Sequence, residues 1–331
     1  MSGLRRFVLK RLLLTIPILW GVSVITFALV YLTPGDPVDL MIGLNPNMSP
    51  AEEAALREQY GLDEPMWQQY LTWVTGLLQG DLGYSFEYQL PVNEVVGDRL
   101  LLTFVISVVT ILFTYAVSFP IGVYTAVKQY SIGDYTLSFI GFLGLATPNF
   151  LLALVLLYFA NVVFGTSIGG LMDPEYVNQP WSWGKVGSVL EHLWVPVVVI
   201  GTSGTAAMIR RLRANLLDEL NKQYVITGLA KGLPPGRLLI KYPLRLAINP
   251  FISDIGNLLP QVVSGAAVVS VVLDLPTTGQ MLIGALKSQD MYLAGSFLMF
   301  LATLTVIGML LSDLALAVLD PRIRLEGKAE R

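Results

Sequence analysis

From Leu12 to Thr33 the chain carries no charged residue. A helix needs about 20 apolar residues to cross a hydrocarbon layer of about 30 Å. Within that layer only a helix or a closed barrel pairs all of its backbone polar groups. Uncharged or nearly uncharged runs recur at Leu100 to Val127, Tyr135 to about Gly165, about Leu193 to Ile209, about Asn249 to Leu273 and about Met291 to Leu319. Asp254 and Asp313 fall inside the last two. No window alternates as a membrane barrel strand does. The expected fold class is an all-α polytopic membrane protein with six transmembrane helices. Pro17, Pro120, Pro148, Pro196 and Pro260 sit within these spans. Neighbouring helices can satisfy the backbone groups such prolines free, so kinks are expected there.

Composition removes several function classes. Charged residues are 14% of 331, too few to cover a soluble domain of this length. With no cysteine there is no disulfide, thiolate ligand or cysteine nucleophile, and with His192 as the single histidine no multi-His metal site. A net charge of −3 gives no basic face for nucleic acid. No Gly-x-x-x-x-Gly-Lys-Ser/Thr run cradles a phosphate. No catalytic residue and no metal ligand set is expected.

Charge also predicts orientation. With the N-terminus in the cytoplasm and six crossings, seventeen of the 21 Lys and Arg fall inside, and only Arg57, Arg99, Lys185 and Lys287 fall outside. That split obeys the positive-inside rule. Arg5, Arg6, Lys10 and Arg11 precede the first apolar run, which is too long for a signal peptide and lacks a small-residue cleavage site, so it reads as a retained first helix.

The first external segment, about Pro34 to Arg99, is long enough for structure of its own. Ser49-Pro50-Ala51-Glu52 reads as a capping box with proline at the first helical position, and Gly61 as the end of that helix. A second helix is predicted from about Pro65, with Trp67, Tyr70, Leu71, Val74, Leu77 and Leu78 on one face. Such a face suits either the membrane interface or the rim of the bundle. Trp181 and Trp183, in the second external loop, are expected to anchor at the interface, and His192 to be a satisfied boundary residue. The internal loop from Arg210 to about Ile248 opens with Arg210, Arg211 and Arg213. It continues through a short helix over Tyr224 to Leu233 that Pro234, Pro235 and Gly236 stop. Val225, Leu229 and Gly232/Leu233 fall on one face of it, Thr227 and Lys231 on another. Glycine on an apolar face permits close approach to another surface, expected to be another protein.

At this loop the sequence resembles the permease subunits of ABC importers, whose cytoplasmic EAA loop carries a coupling helix that docks on an ATPase. Thr227-Gly228-Leu229-Ala230-Lys231-Gly232-Leu233 is similar to the version of the dipeptide/oligopeptide branch, with Gly232 at the position of its glycine. Leu229 stands where that branch often has Arg, Tyr242 where it often has His, and Ile226 at the place of the acidic residue. The ordered set continues with Pro34-Gly35-Asp36-Pro37, Gly61-Leu62-Asp63 with Pro65, Gly80-Asp81-Leu82-Gly83 and Arg99-Leu100. Leu275-Pro276-Thr277-Thr278-Gly279, Asp290 and Asp320-Pro321-Arg322 complete it. The resemblance covers essentially the whole chain.

It implies a type I ABC importer permease (MetI-like) fold. Residues 1–95 would form a first transmembrane helix and a periplasmic helical segment. The permease core would occupy 96–320 with the EAA loop at 210–248, and the cytoplasmic tail 321–331. The coupling helix would present Tyr224, Thr227, Gly228, Ala230, Lys231, Gly232 and Leu233 to the ATPase. Expected partners are two ABC ATPase subunits, a second related permease subunit, a periplasmic or lipid-anchored substrate-binding protein and membrane lipid, with no nucleic acid. This chain would bind no cofactor; ATP and Mg would sit on the ATPases. The resemblance places the chain in a bacterial or archaeal inner membrane, both termini cytoplasmic. Peptides are the expected cargo, with nickel chelates, glutathione or oligosaccharides as the alternative. Asp254 and Asp313 are candidate pathway residues, because ionisable groups at membrane depth are costly, and the polar Gln261 and Ser264 of the fifth span are weaker candidates. For the two aspartates structural pairing is the competing role, Asp254 with Arg245 or a partner chain. An ion-coupled secondary transporter would need more buried ionisable groups and an inverted repeat. An intramembrane enzyme would need a carboxylate pair or a Ser/His constellation.

Overall fold

The computed structural model describes residues 2–32, 37–44, 48–164, 169–177, 179–288 and 290–319. Helices dominate it in chain order: α1 Ser2–Tyr31, α2 Pro37–Leu44, α3 Pro50–Gln59 and α4 Met66–Gln79. A two-stranded antiparallel hairpin follows, β1 Tyr84–Ser85 against β2 Leu90–Pro91. Then come α5 Val92–Val127, α6 Ile132–Ala146, α7 Asn149–Phe159, α8 Trp183–Leu220, α9 Gln223–Ala230, α10 Pro235–Lys241 and α11 Pro243–Ala247. The last four are α12 Asn249–Ser253, α13 Ile255–Val272, α14 Thr278–Lys287 and α15 Met291–Leu319.

Four of these helices are long and apolar enough to cross a membrane: Leu9–Leu29 within α1, α5, α8, and Tyr292–Leu316 within α15. The expected third span departs from a straight rod. It is broken into α6 and α7, whose axes differ by 103°. The cause is local: Pro148 lacks an N–H, and the residue before a proline is pushed out of the helical region. Thr147 accordingly sits at φ −83°, ψ 120°. Counted as one crossing, this pair is a fifth span among the described residues. The span expected over about Asn249 to Leu273, the fifth in chain order, falls on α12 and α13, several of whose side chains lie outside the described residues. Pro17, Pro120 and Pro196 are accommodated inside α1, α5 and α8.

Boundaries moved where charged residues flank a span. The fourth, expected to be short, is a 38-residue helix. The Ser182 hydroxyl accepts from the Lys185 N–H and caps its start, and helix continues through Arg210, Arg211 and Arg213 to Leu220. The internal loop therefore begins as helix. Charge ends the apolar run without ending the hydrogen-bond ladder, because Arg and Leu are both good helix formers.

The chain divides into two compact bodies, one of residues 1–12, 104–275 and 305–331, the other of 13–103 and 276–304. In the first, α8 is the central helix. Gly201 faces Phe113 so closely that a Cβ would stand 2.7 Å from the ring. Gly122 opposes Leu212 at 3.0 Å by the same measure. On α5 the facing surface is a buried stripe of small hydroxyl residues, Ser107, Thr110, Thr114 and Ser118. Lipid gives apolar side chains no reason to leave it, so membrane helices associate through small residues that let backbones approach. Toward one end of α8, a core of Ala126, Met208, Leu212, Leu216, Ala247, Phe251 and Leu258 takes over, with Leu239 and Leu244 packed on it.

In the second body the expected capping box of α3 is present. The Ser49 hydroxyl accepts from the Glu52 N–H, and the Glu52 carboxylate accepts from the Ser49 N–H. Gly61 follows the helix in the left-handed region, φ +64°, and α4 begins after Pro65 as expected. Its apolar residues divide into two stripes. Trp73 is buried, with Tyr70, Val74 and Leu77 beside it, while Trp67, Leu71 and Leu78 point outward.

Candidate functional site

The helix singled out from the sequence forms as α9. Its exposure repeats every three residues: Val225 and Gly228 are buried, and every other residue from Gln223 to Gly232 is exposed. Gly228 is where α9 meets α10. A Cβ there would lie 2.4 Å from Leu238 Cδ1, and Leu238 is itself 3% exposed. This corrects one element of the sequence reading. The close approach that Gly228 permits is to the chain's own α10, and the apolar face left open belongs to Ile226 and Leu229, each about half exposed.

The ends of α9 are fixed by their own hydrogen bonds. Thr227 Oγ1 donates to the Gln223 carbonyl at 2.9 Å. The Tyr224 hydroxyl donates to the Glu219 carboxylate at the end of α8. Partial burial, then that carboxylate, push the Tyr224 phenol well above its ordinary pKa, so it stays a neutral donor at any physiological pH. At the other end the Gly232 N–H reaches the Leu229 carbonyl and the Leu233 N–H reaches the Gly228 carbonyl. This closure puts Gly232 at φ +75°, a region glycine enters without steric cost. Of the remaining positions in the expected set, Ala230 and Lys231 are exposed, and Leu233 is half-buried.

The loop beyond α9 returns to α8 through α10 and α11. Leu239 and Leu244 pack on the core around Leu212 and Leu216. Tyr242 lies against Tyr224 with ring centroids 6.4 Å apart, and Lys241 Nζ is 5.3 Å from the Tyr242 ring. The short helix is thereby a cantilever: anchored by Val225, Gly228 and Tyr224, apolar and exposed on its far side.

Three Arg–Asp pairs lie in the same body. Arg213 Nη2 donates to Asp134 Oδ2 at 2.9 Å. Asp134 also accepts from the Tyr130 N–H at 2.9 Å and the Ser138 hydroxyl at 3.2 Å, and is 2% exposed. Arg211 pairs with Asp254, so the partner of Asp254 is on α8 and not Arg245. Arg11 grips Asp313 with Nε at 3.0 Å and Nη2 at 3.2 Å. The Ser312 hydroxyl reaches the Ser253 carbonyl at 2.8 Å, which sets the second and third pairs side by side. Asp254 and Asp313 are thus ion-paired, the arrangement that makes a carboxylate tolerable near hydrocarbon. Gln261 and Ser264 lie on α13, and their side chains fall outside the described residues. Pro34, Gly35 and Asp36 also lie outside them, as does the Pro37 side chain, while Pro37 begins α2.

Residue types alone gave no role to Asp290 or Gly83. Asp290 is fully buried. Its Oδ2 accepts the Ser85 hydroxyl at 2.5 Å and the Glu87 N–H at 3.1 Å, and its Oδ1 accepts the Leu293 N–H at the start of α15. It pins the β1–β2 hairpin to that helix end. Gly83, at φ +85°, lies under the Tyr292 ring, where a Cβ would be 2.4 Å from Cδ1.

Residues 118–325 match the family described as binding-protein-dependent transport system inner membrane component. Residues 4–110 match the N-terminal model of the same kind of membrane component. The oligopeptide transport system permease protein AppB of Bacillus subtilis is 34% identical over 319 residues, covering 96% of this chain and 98% of that one. The dipeptide transport system permease protein DppB of Escherichia coli K12 is 34% identical over 335 residues, with the same coverages. The di/tripeptide transport system permease protein DppB of Pseudomonas aeruginosa is 32% identical over 335 residues, again with the same coverages. Taken with a helical, multi-pass architecture, these matches mean that the chain belongs to the binding-protein-dependent transport system inner membrane components, the permease subunits of ABC importers.

Proposed function

We propose that this chain is one permease subunit of an ATP-driven peptide importer, forming half of a translocation pathway. The observation that carries the coupling part is α9. It is anchored inward by Val225 and Gly228 and leaves Ile226 and Leu229 open beside Lys231. An exposed apolar patch on a rigidly tethered helix is what a partner groove can hold. In this reading α9 is the coupling helix and docks on an ABC ATPase, with two such subunits per complex. A second, related permease subunit completes the pathway, and a separate binding protein delivers cargo to the outer face. Both termini are cytoplasmic, which puts α9 on the ATPase side and follows the lysine and arginine bias. ATP and Mg belong to the ATPases. Closure of the ATPase dimer moves α9, and α8, joined to α9 by Tyr224–Glu219, carries the motion into the bundle. Such alternating access is a two-state equilibrium biased by ATP. Peptide cargo rests on the names of relatives that match nearly end to end.

The test is reconstitution with the partner subunits in vesicles. ATP-dependent uptake of a labelled dipeptide, requiring the binding protein, is expected. Leu229→Asp places on the open face a charge opposite to the arginine that the branch often carries there, without touching the anchored face. It should abolish ATPase association and uptake while the chain still inserts in the membrane. Uptake that continues without an ATPase subunit, or undiminished ATPase association in Leu229→Asp, refutes the coupling role.

A further inference from the structure

The second body contains a cavity of about 610 Å³ between α1, α4, α5 and α15. Its lining side chains are apolar apart from the hydroxyls of Ser23, Ser296 and Thr303 and the indole N–H of Trp20 at the rim. Each hydroxyl is already engaged. Ser23 donates to the Trp20 carbonyl at 2.7 Å and meets the Tyr70 hydroxyl at 2.9 Å. Ser296 donates to the Leu82 carbonyl at 3.0 Å, and Thr303 to the Met299 carbonyl at 2.8 Å. The hydroxyl protons of Ser296 and Thr303 and that of Ser23 are therefore already spent, and a water or peptide entering the cavity would find few partners for the bonds it loses. At the rim, Ile16, Trp20 and Leu78 are 65%, 64% and 84% exposed, so the cavity opens outward past apolar side chains. Three of its walls, α1, α5 and α15, are helices of membrane-spanning length and hydropathy.

We propose that this cavity holds an acyl chain of a bilayer phospholipid. The medium around α1 and α15 supplies that ligand at high concentration, and the interior matches it group for group. Size separates it from the other apolar occupant, a helix of a neighbouring polypeptide. A helix about 10 Å across would fit only about one and a half turns in this volume. An acyl chain is thinner and bends to follow the walls. The outward stripe of α4, which carries Leu78 at the rim and Trp67, suits the boundary where the chain joins its headgroup.

The test uses the assembled complex in nanodiscs made with a phospholipid that carries a diazirine on one acyl chain. After photolysis, adducts are mapped by mass spectrometry. Peptides of α1, α4 and α15 that line the cavity should carry several-fold more label than the exposed apolar stretch around Phe139 to Leu143 of α6. Val74→Trp and, independently, Thr303→Phe fill the cavity and should each reduce that excess to the level of the α6 stretch, with assembly verified by size-exclusion chromatography. Labelling no greater than on α6, or labelling unchanged by both filling variants, overturns the proposal. So does a photo-leucine at Leu77 that crosslinks to another polypeptide, since a protein helix would then occupy the space.

Discussion

Arg213 donates to the carboxylate of Asp134 across 2.9 Å, and that carboxylate is 2% exposed. The pair ties the start of α6 to α8 two turns before α8 hands over to α9. Breaking a buried pair by removing one partner costs about 3–5 kcal/mol, because the other charge is left stranded. Arg213 retains 30% exposure, so water recovers part of that loss, and Asp134→Ala is expected to cost about 2 kcal/mol. A thermal scan of the purified complex should show a lowered transition. Asp134→Leu with Arg213→Met should recover most of the loss, because removing both charges leaves nothing unpaired.

Gly228 sets the seat of α9. Its missing Cβ is what lets Leu238 approach, and any side chain there must displace a buried leucine. Gly228→Ala should behave as overpacking, costing about 1–3 kcal/mol, and should weaken ATPase recruitment. Adding Leu238→Val removes one methyl group from the contact and should restore both. Recruitment measured by co-purification separates this from a general folding defect: the double variant recovers only if the contact itself is responsible.

Helix α3 is expected to be acid-sensitive. The Ser49 N–H, then the Ser49 hydroxyl, hold the Glu52 carboxyl below its ordinary pKa. A carboxylate with a lowered folded-state pKa stabilises the fold above its unfolded value, about 4.3 for glutamate, and that contribution fades as pH falls through the lower folded value. Hydrogen exchange, corrected for intrinsic rates, should show protection of the first turn of α3 falling on acidification below pH of about 4. In Glu52→Gln the same amides should show a flat profile.

The break between α6 and α7 gives a distance prediction. With the two axes 103° apart, spin labels at Thr136→Cys and Tyr158→Cys should lie about 20 Å apart, against about 33 Å along a straight helix. The chain has no native cysteine, so these two sites are the only ones labelled. Pro148→Ala restores an N–H and frees Thr147 to become helical, and the measured distribution should move toward the longer distance.

Much of this architecture was legible in local chemistry. The capping box at Ser49 and Glu52, the stop at Gly61, the start after Pro65 and the sixth span at Met291 to Leu319 each depend on neighbours along the chain. The errors arose where a residue answers to distant neighbours. Arg210, Arg211 and Arg213 looked like the opening of a loop because charge ends an apolar run; Asp134 and Asp254 hold two of them within a continuing helix. Gly228 looked like a contact for a partner because nothing in the sequence says that Leu238 folds back over it.

The sequence by itself determined that the chain is helical and membrane-spanning, because an uncharged run of twenty residues has no other way to pair its backbone in lipid. It also placed α9 and its terminating prolines, since helix start and stop signals are local. Only the tertiary structure decided which side of α9 is open, which arginine answers each aspartate, and that Ser85 and Asp290 form a pin. Those are contacts between residues up to hundreds of positions apart, and their geometry follows from how whole helices pack.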